Sequence, residues 1–177
     1  MQIRFHKYSG TGNDFIVIDD RSHQFPKNDT NLIQKLCDRH FGIGSDGLML
    51  IKEHATLDFE MIFFNPDASK SLCGNGSRCA VHFARELGMA TTKGSFLTTD
   101  GAHDYRFGED ALVQISMNEV NSVRDIKGHK FLDTGSPHLI VPVDELKNHD
   151  VIIEGRRWRS DEEFEAISGT NVNFVEK

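Results

Sequence analysis

The chain has 177 residues, a hydrophobic content of 38% and a formal net charge of −7. This length and apolar content suffice for one ordinary domain or two small ones with a buried core. The acidic balance argues against nucleic-acid binding, which needs a basic face, and no apolar run approaches the roughly 18 residues of a membrane span. The start of the chain also lacks a signal-peptide-like apolar stretch. The sequence therefore predicts a cytoplasmic globular protein.

The three cysteines are Cys37, Cys73 and Cys79. An odd number in a chain without export signals argues against a disulfide framework and predicts reduced thiols. The spacing of Cys37 and His40 is too little for a structural zinc site. We therefore expect no metal.

Strands and one helix are predicted in the first part of the chain. Apolar alternation or short apolar runs predict strands at residues 3–5, 15–18, 48–51, 59–63, 96–98, 105–107 and 113–117. Apolar residues at helical spacing follow a possible cap at Thr30 and end near His40, which predicts a first helix. Cys37 then falls on its buried face as a small core residue.

A second helix is predicted from about Asn75 to just before Gly88, with apolar residues at i, i+3, i+4 and i+7. Cys79 lies beside that stripe and is interpreted as packing. Residues 118–128 are polar, and further strands are predicted at 131–132 and 139–143. We therefore expect two domains, 1–118 and 119–177.

Three loops are rich in glycine: residues 9–14, 42–47 and 73–78. The second matches G-x-G-x-x-G, but a dinucleotide-binding loop follows a strand and opens a helix. Here the loop follows the predicted helix and leads into the strand at Leu48. The order excludes a dinucleotide fingerprint, and we expect no cofactor.

The third glycine loop places Cys73 directly before a predicted helix start. Free backbone N–H groups and the positive end of the helix dipole favour a thiolate there, so the thiol could act as a base near neutral pH. The same N–H groups suit a substrate carboxylate, and glycines allow close approach. One short loop could hold an acid group and attack the carbon beside it.

Asn13 and Asn65 lie in the turn contexts Gly-Asn-Asp and Asn-Pro-Asp. Each is typical of a turn residue that bonds to the backbone. Each could also orient ammonium and carboxylate groups as a neutral donor and acceptor. The sequence pattern leaves both interpretations open.

The chain resembles the diaminopimelate epimerase family in six motifs that occur in order. These are residues 8–15, 39–47, 64–67, 72–79, 134–138 and 169–175. The resemblance implies an α+β fold of two similar domains, each a curved sheet wrapped round a central helix, with the second domain incomplete here. It implies cofactor-independent interconversion of L,L- and meso-diaminopimelate by two thiols, in lysine and peptidoglycan precursor biosynthesis.

The resemblance also implies roles for individual residues. Cys73 corresponds to one of two catalytic cysteines on opposite sides of the substrate α-carbon, and His138 to a position associated with the thiols. Gly74 and Asn75 would hold the α-carboxylate. Asn13, Asn65 and Asn171 would bind polar groups of a small amino-acid substrate. A homodimer is expected on the same basis.

The family's second cysteine and a substrate-binding Glu-Arg pair have no counterpart in these 177 residues. We therefore expect the chain to be part of a longer polypeptide. Three alternatives stay open at this point. They are a related racemase or isomerase with another amino-acid substrate, a thiol hydrolase pairing Cys73 with His138, and an inactive ligand-binding fragment.

Overall fold

The computed structural model describes residues 2–167 and 169–176. The chain divides into two compact units, one up to Met117 and the other from Asn118. Each unit has its own sheet, seven strands in the first and four in the second. The predicted α+β class is confirmed, and each unit is described below by itself.

The first unit is a sheet whose strands follow one another in chain order from β1 to β7. The strands are β1 His6–Gly10, β2 Asn13–Asp19, β3 Gly47–Lys52, β4 Phe59–Phe64, β5 Lys93–Thr98, β6 Gly101–Phe107 and β7 Val113–Ile115. The pairs β2/β3 and β4/β5 are parallel, and the other neighbours are antiparallel. Each parallel pair is joined by a helical crossover, α1 Thr30–Cys37 or α2 Gly74–Glu86.

The two helices cover different faces of the central strands. Alternate residues of β2 and β3 pack with α2 in one apolar cluster and with α1 in another. This explains why β3 is buried at all six positions and shows no polar alternation. Helix α2 contacts β1, β2, β3, β4 and β7, so the sheet curves round it from one edge strand to the other.

Both predicted helices form, and their starts differ slightly from expectation. Asp29, and not Thr30, is the N-cap of α1, because its carboxylate accepts the N–H of Leu32 at 3.0 Å. Helix α2 begins at Gly74, one residue before the predicted Asn75. Cys37 and Cys79 are both buried in apolar clusters, as predicted.

The second unit has four strands in the order β11-β10-β9-β8. They are β8 Val123–Ile126, β9 His129–Asp133, β10 Pro137–Val143 and β11 Asn171–Glu176, with helix α3 Val151–Arg159 and a 3₁₀ helix Glu162–Ile167. Strands β10 and β11 are parallel, and the other pairs are antiparallel. Phe131, Leu139 and Phe164 are among the residues that form its core.

Two sequence expectations about strands are corrected, and some elements were not predicted. The strand expected at residues 3–5 is wrong, since β1 begins at His6, where its ladder with β2 begins opposite Val17. Strand β7 ends at Ile115, before Met117. Strands β8 and β11 and helix α3 were not predicted. Among the described residues, no helix is long and apolar enough to cross a membrane.

Candidate active site

Cys73 is the N-cap of α2. Its backbone is extended, with φ −128° and ψ 105°, and its Sγ accepts the backbone N–H of Gly76 at 3.4 Å. A Cβ at position 76 would lie 3.2 Å from the Met49 sulfur and 3.5 Å from the Cys73 sulfur. Glycine at position 76 therefore lets the first helical turn approach both sulfur atoms.

The thiol of Cys73 is less acidic than its position at a helix start suggests. Burial raises the pKa of Cys73, whereas the backbone N–H groups of Gly76 and Asn75 and the charge of Arg78 lower it. Burial is the largest of these influences, and the resulting pKa lies above the ordinary thiol value. The N–H donors at the helix start favour the thiolate as expected, but in the ligand-free protein desolvation outweighs them.

Asn13 and Asn75 are brought together by the curvature of the first unit. The Nδ2 of Asn75 donates to the Oδ1 of Asn13 at 2.9 Å, although 62 positions separate them in the chain. The Nδ2 of Asn13 in turn donates to the Oδ2 of Asp46 at 3.1 Å, and Arg78 donates to the Oδ1 of Asn75. The amide pair is thus held between a carboxylate and a guanidinium group.

Gly74 occupies the first helical position beside Cys73. A Cβ at this position would meet no atom closer than the Met117 sulfur at 3.9 Å. Packing within the first unit therefore does not require glycine here. The absence of a side chain keeps the helix start open to an approaching ligand, which is consistent with the predicted carboxylate site.

Asn65 directly follows β4 and closes the loop that leads to Cys73. Its side-chain nitrogen donates to the hydroxyl oxygens of Ser69 at 3.0 Å and Ser71 at 3.1 Å, and its carbonyl accepts the N–H of Ala68 at 2.9 Å. Asn65 is therefore a turn residue, as expected, but its side chain bonds to serine hydroxyls and not to the backbone. A ligand contact by the same amide stays a prediction.

His138 and Asn171 lie opposite each other in the second unit, on the parallel strands β10 and β11. The Nδ2 of Asn171 donates to the carbonyl oxygen of Pro137 at 3.2 Å. The Nδ2 of Asn173 lies 3.0 Å from the Nδ1 of His138. Because an amide nitrogen only donates, Nδ1 is the acceptor and the neutral imidazole carries its proton on Nε2.

The predicted residues fall into two groups. Cys73, Gly74, Asn75 and Asn13 form one connected site in the first unit, with Asn65 on the loop before it. His138 and Asn171 form a second pair in the other unit. Asp46, Arg78 and Asn173 were missed; the only sequence signal for Arg78 is its i+3 spacing from Asn75, which places the two on one helix face.

Comparison with known proteins identifies the family. The fold matches the Bacillus anthracis phenazine biosynthesis protein of the PhzF family with a TM-score of 0.61 at 17% identity, covering 82% of this chain and 56% of that one. The family model for diaminopimelate epimerase matches residues 5–123. The chain belongs to the diaminopimelate epimerase family.

Two curated relatives support the assignment. The diaminopimelate epimerase of Flavobacterium psychrophilum is 44% identical over 98% of this chain and 68% of its own length. That of Aquifex aeolicus is 39% identical over 98% of this chain and 69% of its own length. The chain thus spans about two thirds of the length of these relatives.

Proposed function

We propose that the protein containing this chain is an isomerase that interconverts L,L- and meso-diaminopimelate in lysine and peptidoglycan precursor biosynthesis, without a pyridoxal cofactor. The relatives named diaminopimelate epimerase support this function. The observation that carries it is the position of Cys73. Its thiol caps α2, and the first turn of that helix bears Asn75, which is bonded to Asn13.

The proposed reaction begins with proton removal from the substrate α-carbon. A Cys73 thiolate takes the α-hydrogen as a proton, so the C–H bond breaks, its electron pair stays on carbon and an S–H bond forms. N–H donors at the start of α2 stabilise the negative charge that develops on the adjacent carboxylate. The raised pKa of Cys73 favours the protonated thiol, which is the form that delivers a proton in the reverse direction.

Inversion needs a second acid on the opposite face of the carbon. Cys37 and Cys79 are 3% and 7% exposed and lie in apolar clusters, so neither is suited to this role. We propose that a thiol outside residues 1–177 supplies it, as the family resemblance implies.

The remaining predicted residues bind and orient the substrate in this proposal. Gly74 and Asn75 hold the α-carboxylate at the helix start. Asn13, Asn65 and Asn171 contact its other polar groups. His138 acts with the thiols, and its Nε2–H is the group it offers as a donor, since Nδ1 is occupied by Asn173.

The test uses the full-length gene product in deuterated water. With L,L- or meso-diaminopimelate, the wild-type protein should exchange the α-hydrogen and form the other stereoisomer. Cys73→Ala should abolish both, whereas Cys37→Ala should retain them, because Cys37 ends α1 and is buried in the apolar cluster that does not contain α2. Absence of exchange in the wild type, or unchanged exchange in Cys73→Ala, would reject the proposal. Proline and other amino acids should exchange far more slowly.

We also propose that the protein acts in the cytoplasm as a homodimer. The three free cysteines suit a reducing compartment. The proposal of a homodimer is based on the family resemblance alone. Light scattering of the full-length protein should give twice the mass of one chain, and a monomer would reject this part.

A further inference from the structure

We infer that Asp46 and Arg78 are positioning residues that fix the orientation of the side-chain amides of Asn13 and Asn75. The structure places these four side chains in one hydrogen-bonded row, with the carboxylate at one end and the guanidinium at the other. That the two amides bind substrate rests on the proposed function. The orientation of the two amides by Asp46 and Arg78 does not depend on the proposed function.

The carboxylate end determines how Asn13 is turned. A carboxylate oxygen only accepts, so the NH₂ of Asn13 must face Asp46, at 3.1 Å. The Oδ1 of Asn13 then points to Asn75 and accepts its Nδ2 at 2.9 Å. A 180° rotation of Asn13 would set oxygen against oxygen at Asp46 and NH₂ against NH₂ at Asn75.

The guanidinium end imposes the same orientation on Asn75. Arg78 has donors only, so the Oδ1 of Asn75 must face it, which leaves Nδ2 for Asn13. Both charged ends therefore demand one arrangement of the two amides. All donors in the row point from the cation to the anion, and hydrogen bonds aligned in this way polarise and strengthen one another.

Both ends of the row are held from outside. Asp46 forms an ion pair with Arg39 at 2.8 Å, and its Oδ2 also accepts the backbone N–H of Asp14 at 3.1 Å. Arg78 also donates to the hydroxyl of Thr11 at 3.4 Å. The end groups are thus anchored to the β1–β2 turn, to β2 and to the loop before β3, which keeps the row in place without a ligand.

The row determines what the asparagines offer to a ligand. Each amide has two N–H hydrogens and two carbonyl lone pairs, and the row uses one of each. Each asparagine is left with one N–H for a carboxylate oxygen and one lone pair for an ammonium hydrogen. A zwitterionic amino acid carries both groups.

A positioning role and a simple charge effect predict different changes in substrate affinity when Asp46 or Arg78 is replaced. Asp46→Asn removes a negative charge and Arg78→Gln removes a positive one, so a charge effect alone moves substrate affinity in opposite directions. Positioning predicts weaker binding in both, because either variant removes one of the two charged groups that demand the same amide orientation. Arg78→Lys keeps a cationic donor and should recover most of the loss.

The experiment measures KM and kcat of the full-length protein with meso-diaminopimelate. We expect KM to rise about tenfold in Asp46→Asn and Arg78→Gln, as for one or two lost hydrogen bonds, with a smaller change in kcat. The matched control is Asp19→Asn, which breaks an ion pair with Arg21 at the end of β2. The side chain of Asp19 is 33% exposed, against 38% for Asp46. Opposite KM changes in the two variants would overturn the inference.

A second measurement is independent of activity. The side-chain NH₂ signals of Asn13 and Asn75 in ¹H–¹⁵N spectra of the ligand-free protein should both shift in Asp46→Asn and stay unchanged in Asp19→Asn. Thermal unfolding confirms that each variant is folded. An unchanged Asn75 signal in folded Asp46→Asn overturns the inference even if the enzyme is active. Asp46→Asn could shift both signals although the wild-type protein shows no exchange activity. That outcome would support the inference and reject the proposed function.

Discussion

His138 accepts a hydrogen bond at Nδ1 from the side-chain amide of Asn173, at 3.0 Å. Asn173 also donates to the carbonyl oxygen of Leu139 at 3.3 Å, so its amide bridges the β10 backbone and the imidazole. The ring of His138 is thereby fixed in one tautomer by a neighbouring strand. This contact gives the first prediction.

Asn173→Asp should reverse the tautomer of His138. A carboxylate only accepts, so Nδ1 must then carry the proton, and in the neutral imidazole Nε2 becomes the acceptor. ¹⁵N chemical shifts of the imidazole should show this exchange of roles, and α-hydrogen exchange should fall. The signals of His103, in the first unit, serve as an internal control. An unchanged His138 tautomer would contradict the assignment.

Alkylation of Cys73 should follow a raised thiol pKa. In the ligand-free protein the half-maximal rate should occur above pH ~8.5, the value for a free cysteine, because burial raises the pKa of Cys73. Arg78→Gln should move the profile further up and Asp46→Asn should move it down, since the two charges act on the thiol with opposite signs. Peptide-resolved mass spectrometry gives the rate. A midpoint below pH ~8.5 in the wild type would contradict this prediction.

Gly47→Ala should destabilise the first unit. The added Cβ would lie 2.5 Å from the ring of Phe63, which is 3% exposed, and 3.0 Å from the carbonyl oxygen of Phe64. We expect a loss of about 1–3 kcal/mol in the free energy of unfolding, as for other overpacked cores. Gly155→Ala in helix α3 is the control, because the added Cβ would lie at an ordinary contact distance of 3.8 Å from the ring of Phe174. Equal stability changes in the two variants would refute the steric explanation.

Asp14→Asn should remove an acid-sensitive part of the stability. Hydrogen bonds from Arg39 and Lys7 hold the pKa of Asp14 well below its ordinary value. The ion pairs therefore stabilise the fold above the unfolded-state pKa of about 4, and this contribution is lost as the pH falls toward the folded-state pKa. We expect about 1 kcal/mol at neutral pH.

Denaturant titrations at several pH values check this expectation. The difference between wild type and Asp14→Asn should be constant above pH ~5 and shrink on acidification. Glu109→Gln is the control, since the described residues contain no ion-pair partner for Glu109. A difference that grows on acidification would contradict the assigned sign.

Much of the fold was predictable because apolar periodicity records which faces are buried. The runs at 15–18 and 48–51 correctly marked β2 and β3, and the stripe from Ala80 to Leu87 marked α2. Helix α3 was not predicted because its apolar residues show no helical period. Val151, Ile152 and Ile153 are consecutive and 50% to 65% exposed. Strand β8 was not predicted because only Ile126 of its four residues is buried.

The site was predictable only in part, for a different reason. Cys73, Gly74 and Asn75 are adjacent in the sequence, so a motif can present them together. Asp46 acts through Asn13 across a pairing of β2 with β3, and local sequence carries no signal for such a contact. The direction of the Cys73 pKa shift likewise depends on burial, which the helix-start motif does not encode.

The even burial of β2 and β3 has a consequence for folding fidelity. Shifting β3 by one residue against β2 would turn Leu48 and Leu50 toward α2 and Met49 and Ile51 toward α1, exchanging one apolar set for another. Hydrophobic burial alone therefore selects the alignment weakly. Two hydrogen bonds between Asp14 and Asp46 are specific to the native alignment. The backbone N–H of Asp46 donates to the backbone carbonyl of Asp14, and the backbone N–H of Asp14 donates to the carboxylate of Asp46. A misaligned molecule would lose the same carboxylate that turns Asn13 toward Asn75, so correct strand pairing and a correctly oriented asparagine pair form together.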